Sequence, residues 1–169
     1  MTHAAKNEDH AAYNAQLLHS TSVDGDDAVI ATAITILRER LYREETVLSS
    51  PKDVRNLLTL HLAEYEHEVF GCLFLNSQNG LIEMEDMFRG TLTQTSVYPR
   101  EVVKKALAVN AGAVILYHNH PSGNPEPSRA DEALTSTLCT TLAMVNVKVL
   151  DHFIVAGTKI TSFAERGLL

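Results

Sequence analysis

The chain has 169 residues, of which 45% are hydrophobic, and a formal net charge of −7 at pH 7. This length and composition favour a globular domain with a hydrophobic core. The acidic balance disfavours a nucleic-acid-binding protein, which usually presents a basic patch, and no apolar run is long enough to predict a transmembrane helix.

The N-terminal region divides by composition into a tail and a helix. Residues 1–25 are polar and lack the apolar core of a secretory signal, so we expect a disordered tail on a cytoplasmic protein. Residues 26–47 begin with acidic side chains and carry apolar residues at helical spacing, which predicts an amphipathic helix. This helix could pack on the rest of the chain or join two copies in a homo-oligomer. Cys72 and Cys139 are far apart in sequence and are expected to be reduced thiols.

Strands dominate the prediction for the first half of the remaining domain, residues 48–169. Pro51 is typical of a first helical position, and residues 69–75 form an apolar run that predicts a buried strand. Asn79-Gly80 is a strong hairpin signal, with residues 81–88 as the returning strand.

The second half alternates between helices and strands. A helix is predicted from Pro99, a strand over residues 113–117, a helix from Ser128 and a strand over residues 147–155. The polar stretch 91–97 is either an exposed edge or a segment that pairs with a substrate backbone. The order predicts an α/β fold of the α+β kind, a mixed sheet flanked by helices.

The end of the third predicted strand carries the residues that point to chemistry. His118 and His120 are two apart, so in an extended chain they project to the same face. Asp131 falls in the first turn of the helix that begins at Ser128, after a loop rich in proline and glycine. Two imidazoles and a carboxylate suit one Zn²⁺ per chain, with a water as the fourth ligand. Without a metal, the same residues could be strand-end histidines and a capping box between Ser128 and Asp131.

The pattern His118-x-His120, seven residues, Ser128, two residues, Asp131 resembles the JAMM motif of the JAB1/MPN zinc metalloprotease superfamily. Further segments are similar to its bacterial RadC-like branch, namely residues 66–70, 90–102, 113–123 and 149–155. The resemblance covers residues 48–169. Longer RadC-like proteins carry an N-terminal helix-hairpin-helix region, and the 47 residues before the match contain no glycine-rich hairpin, so we expect a short form without that module.

The resemblance implies a three-layer fold similar to that of cytidine deaminases, and a hydrolase that cleaves a peptide or isopeptide bond with a metal-activated water. It implies that His118, His120 and Asp131 hold the zinc ion. Glu68 would be the general base, with Glu64 and Glu66 as competitors nearby in the sequence.

Other roles and other functions stay open at the sequence level. Ser128 would donate a hydrogen bond to the developing oxyanion, and Asn119, which should point away from the two histidines, would fix the loop. Asp151 and His152 either orient a metal ligand or belong to the core. The substrate protein or peptide is unknown. The alternatives are a non-proteolytic accessory protein of DNA repair or mobile-element metabolism, with a structural or vestigial metal site, and a zinc-dependent nuclease.

Overall fold

The computed structural model describes residues 23–42, 51–63, 65–91 and 96–169. The chain divides into two compact units, residues 1–36 and 37–169. Most of the predicted tail lies outside the described residues, as do Glu64 and the middle of the polar stretch 91–97. No helix of the described part is long and apolar enough to cross a membrane.

The described residues form four helices and five strands. In chain order they are α1 (Val23–Tyr42), α2 (Pro51–Leu62), β1 (Val69–Leu75), β2 (Leu81–Arg89), α3 (Pro99–Ala108), β3 (Ala113–Asn119), α4 (Arg129–Ala143), β4 (Lys148–Ala156) and β5 (Lys159–Ser162). Helix α1 includes the last three residues of the predicted tail. Strand β1 has the predicted bounds, and the left-handed backbone of Asn79, with φ of 61°, turns the chain into β2.

The five strands form one mixed sheet in the order β2-β1-β3-β4-β5. Strand β1 pairs antiparallel with both β2 and β3, while β3 and β4 are parallel, and β5 returns antiparallel to β4. Helix α4 is the crossover between the two parallel strands, which need such a long connection. The predicted mixed sheet with flanking helices is therefore confirmed.

Helices cover both faces of the sheet and give the domain three layers. On one face, α3 and α4 bury apolar side chains against alternate residues of β1 and β3, including Phe70, Phe74 and Leu116. On the other face lies α2, whose Leu57 and Leu58 are fully buried. The two cysteines are free thiols, as expected, with Cys72 buried and Cys139 half-buried.

Candidate metal centre

The carboxyl end of strand β3 places the two histidines on the face of the sheet that α4 covers. His118 belongs to the strand and is 2% exposed, whereas His120 follows its end and is half-buried. The backbone N–H of His120 donates to the carbonyl of Val155, at 2.8 Å, so pairing with β4 continues past the last residue of β3. The extended backbone keeps both rings on one side, as the spacing predicts.

A capping box at the start of α4 fixes the carboxylate. The Oγ of Ser128 accepts from the backbone N–H of Asp131, at 3.1 Å, and the Oδ2 of Asp131 accepts from the backbone N–H of Ser128, at 2.7 Å. The capping interpretation of Ser128 and Asp131 is therefore correct, and it is compatible with a ligand role. The cap holds the Asp131 carboxylate at the helix N-terminus, facing the end of β3.

The three predicted ligands come together at one point. The Nε2 atoms of His118 and His120 are 2.9 Å apart. The carboxylate oxygens of Asp131 lie 3.4 Å from Nε2 of His118 and 3.5 Å from Nε2 of His120. A tetrahedral zinc ion with bonds of about 2.0–2.1 Å separates its ligand atoms by roughly 3.3 Å. The donor set and its spacing therefore fit zinc after a shift of a few tenths of an ångström between the imidazoles.

The protonation of His120 also suits a cation at this point. Its Nδ1 lies 2.8 Å from the carbonyl oxygen of Asn124, which can only accept, so Nδ1 carries the proton. In the neutral ring, Nε2 then presents a lone pair to the other two ligands. The neighbouring Asp131 carboxylate raises the pKa of His120 against the effect of burial, and the charge of Glu68 adds to this rise.

The carboxylate of Asp131 is the negative charge of the site. Burial alone would raise the pKa of Asp131, but the imidazoles of His118 and His120 beside it hold this pKa far below its usual range. The carboxylate is therefore ionised at any ordinary pH. An anion facing two imidazole nitrogens favours a positive charge between them, which a divalent metal supplies.

Glu68 lies on the wall of the cleft that contains the three ligands, directly before β1. Its backbone is tied on both sides, because the N–H of Glu68 donates to the carbonyl of Thr91 and the N–H of Gly90 donates to the carbonyl of Glu68. Of its competitors, Glu66 is exposed and does not line the cleft, and Glu64 lies outside the described residues.

The amide of Asn119 holds the segment that carries Glu68. Its Oδ1 accepts from the backbone N–H of Val69, at 2.7 Å, and its Nδ2 donates to the carbonyl of His67, at 2.9 Å. Asn119 is 4% exposed. The predicted loop-fixing residue therefore fixes a different segment, the two peptides that flank Glu68.

The cleft around the site has a volume of about 570 Å³ and both apolar and polar side chains in its lining. Its apolar side chains include Phe70, Val97 and Leu134, which belong to or pack against one buried cluster, and its polar ones include Ser122, Asn124 and Glu126. Ser128 also lines the cleft, so its hydroxyl can reach a bound molecule. This volume is within the usual range for ligand-binding clefts.

The sequence left the role of His152 open, and in the structure its side chain lies against His118, one of the predicted zinc ligands. Its Nε2 is 2.8 Å from Nδ1 of His118, and its ring is fully buried. Burial, followed by the effect of His118, holds the pKa of His152 well below its usual range. Asp151 points elsewhere, since its carboxylate accepts from the hydroxyl of Ser162 and from the backbone N–H groups of His152 and Ala164.

Two residues near the site are absent from the sequence prediction. Glu126 lines the cleft, and its carboxylate pairs with Arg166 at 2.8 Å. Thr135 is 1% exposed and contacts His152. A threonine in a helix rich in serine and threonine carries no local signal that marks it as buried, whereas the position of Glu126 within the predicted metal loop was a usable signal.

Comparison with known proteins identifies a family whose model matches most of the chain, together with individual relatives. A family model described as "RadC-like JAB domain" matches residues 48–168. A "UPF0758 protein" of Dechloromonas aromatica is 68% identical over 146 residues, which cover 84% of this chain and 65% of that protein. A namesake from Polaromonas sp. is 58% identical over 142 residues, which cover 84% of this chain and 63% of that protein.

A third relative, the "UPF0758 protein" of Leptothrix cholodnii, is 61% identical over 126 residues, which cover 75% of this chain and 57% of that protein. The chain thus spans about three fifths of the length of these curated relatives.

Proposed function

Because the chain belongs to the RadC-like JAB domain family, we propose that it is a zinc-dependent hydrolase of peptide or isopeptide bonds. The observation that carries the proposal is the convergence of His118, His120 and Asp131 in a cleft that Glu68 also lines. A zinc ion held there would polarise the scissile carbonyl and lower the pKa of a water.

The chain's own residues supply the remaining chemistry. Glu68 accepts a proton from the attacking water and returns it to the leaving amine, which is the usual work of a general acid–base carboxylate. The hydroxyl of Ser128 uses a lone pair for the cap and donates a hydrogen bond to the developing oxyanion. Asn119 keeps the peptides on both sides of Glu68 in place.

The lining of the cleft supports a polypeptide substrate. Its apolar side chains Phe70, Val97 and Leu134 offer burial to a side chain beside the scissile bond. The net charge of −7 speaks against a nucleic-acid substrate, because phosphates would be repelled. We propose that the protein works in the cytoplasm, where its two thiols stay reduced.

Elemental analysis of the purified protein and of His120→Ala tests the metal assignment. We expect about one zinc per chain in the wild type and little in the variant. His67→Ala is the matched control, since His67 lies outside the ligand set, and should keep the zinc. Equal zinc in wild type and His120→Ala would overturn the assignment.

A screen of the zinc-loaded protein against a peptide library and against DNA and RNA tests the reaction. Cleavage of peptides that stops on chelation supports the proposal. Full zinc occupancy without peptide cleavage would favour an accessory protein, and cleavage of nucleic acid alone would favour a nuclease.

A further inference from the structure

A buried chain of hydrogen bonds connects one predicted zinc ligand with the backbone of another. Nδ1 of His118 is 2.8 Å from Nε2 of His152, and Nδ1 of His152 is 2.6 Å from Oγ1 of Thr135. The hydroxyl of Thr135 in turn donates to the carbonyl of Asp131, at 2.6 Å. The residues His118, His152 and Thr135 are each at most 2% exposed.

The carbonyl of Asp131, the last acceptor in this series of hydrogen bonds, determines where each proton lies. A backbone carbonyl has no proton to give, so Thr135 must donate to Asp131 and can only accept from His152. His152 therefore carries its proton on Nδ1, and since burial disfavours an imidazolium, its Nε2 is an acceptor. His118 must then donate from Nδ1. Its Nε2 is left with a lone pair that faces His120 and Asp131.

We infer that Thr135 and His152 form a relay that fixes His118 in the tautomer required for zinc binding. This inference deepens the proposed function and rests on it. Both residues are positioning residues, because neither reaches the cleft. The relay also couples the strand that carries His118 to the helix turn that carries Asp131, so it sets the separation of these two ligands.

The surroundings of His152 keep the relay in one arrangement. Phe163 stacks on its ring with centroids 4.7 Å apart, and Phe70 meets it edge-on at 5.7 Å. A turn of the ring by 180° would keep these contacts but put carbon atoms in place of both nitrogens, so the hydrogen bonds to His118 and Thr135 fix its orientation. Because His118 and His120 each donate Nδ1–H to a neutral acceptor, these two acceptors add no negative charge that would weaken zinc as a Lewis acid.

The threonines of α4 provide a matched control. Thr137 donates to the carbonyl of Ala133, at 2.8 Å, as Thr135 does to that of Asp131, but it is exposed. Thr135→Val removes the relay hydroxyl at constant shape. His152 then loses the acceptor for Nδ1–H, so the tautomer with the proton on Nε2 becomes competitive, and it forces His118 to carry its own proton on Nε2.

The first experiment measures zinc affinity by competition with a chelator. We expect Thr135→Val to lower the affinity about 10- to 100-fold, the usual effect of losing a group that orients a ligand. Thr137→Val and the rescue variant Thr135→Ser should stay within about twofold of wild type. His152→Gln, which offers an acceptor near the position of Nε2, should retain more affinity than His152→Phe.

The second experiment reads the tautomers directly by ¹⁵N NMR of the metal-free protein, and needs neither zinc nor a substrate. We expect the proton on Nδ1 of both His118 and His152. Absence of a proton from Nδ1 of His118 would overturn the relay, as would unchanged zinc affinity in Thr135→Val. Absence of zinc binding in the wild type would instead contradict the proposed function, while the NMR spectra would still test the hydrogen-bond order.

Discussion

Replacing Asn119 by Ala tests whether the Glu68 segment is held separately from the metal ligands. The substitution leaves the buried N–H of Val69 without an acceptor and removes the donor to the carbonyl of His67. An orphaned buried donor costs about 1–3 kcal/mol and a lost neutral hydrogen bond about 1 kcal/mol. Together they predict a loss of about 3 kcal/mol, which corresponds to a fall in Tm of roughly 10 °C for a domain of this size.

The effect on function should be selective. The side-chain hydrogen bonds of Asn119 go to Tyr65, His67 and Val69 and to none of the three predicted zinc ligands, so zinc content should not change. Displacement of Glu68 by a fraction of an ångström should lower kcat for peptide cleavage by about 10- to 100-fold. The assays are thermal unfolding, elemental analysis and kinetics at a temperature well below the Tm of the variant.

Asn76→Ala is the matched control for this substitution. Asn76 also accepts from two backbone N–H groups, those of Gln78 and Gly80, but it is exposed and lies at the other end of β1. Asn76→Ala should lower the free energy of unfolding by about 1 kcal/mol or less and leave kcat unchanged. If Asn119→Ala lost stability but kept full activity, Asn119 would not position Glu68. If it lost zinc, the segment and the metal ligands would not be held separately.

Other substitutions test the surrounding structure. Gly71→Ala should destabilise the domain by about 1–3 kcal/mol in urea unfolding, because its Cβ would lie 2.6 Å from the carbonyl oxygen of Glu85, and near-wild-type stability would contradict this packing. Asp86→Asn should destabilise by about 2 kcal/mol at pH 7, since Asp86 accepts from one imidazole and two phenols. Burial would raise the pKa of Asp86, but these bonds lower it. The ionised carboxylate of Asp86 therefore contributes fully to the free energy of unfolding above its unfolded pKa of about 4, and this contribution is lost as the pH falls through the folded pKa. The stabilities of the wild type and Asp86→Asn should therefore converge in acid. Ser128→Ala should cost about 1 kcal/mol by loss of the cap and reduce kcat about 100-fold, and an unchanged kcat would exclude an oxyanion role.

Local patterns in the sequence predict much of the fold and the ligand positions. The apolar run of β1, the Asn79-Gly80 hairpin and the cap at Ser128 are each contained in a few neighbouring residues. The i, i+2 spacing of His118 and His120 likewise fixes a common face without reference to the rest of the chain. These elements follow from dihedral preferences and hydrophobic periodicity.

The contacts that complete the site depend on tertiary structure. His118 meets His152 only because β3 and β4 are parallel neighbours, and Thr135 is buried only because α4 crosses over that face. Asn119 reaches Val69 across an antiparallel pair, 50 residues away in sequence. The position of a polar residue in one element does not encode which long-range partner it meets, so the sequence left these roles open.

The most direct test of the hydrolase is a comparison of Glu68→Gln with Glu66→Gln, measuring zinc content and peptide-cleavage kinetics on the same samples. Glu68 lines the cleft and Glu66 is exposed outside it, so the pair differs in position while the chemical change is the same. We predict that both variants keep about one zinc per chain, and that only Glu68→Gln loses about two to four orders of magnitude in kcat. Full activity of zinc-loaded Glu68→Gln, or an equal loss in Glu66→Gln, would contradict the assignment of Glu68 as the general base.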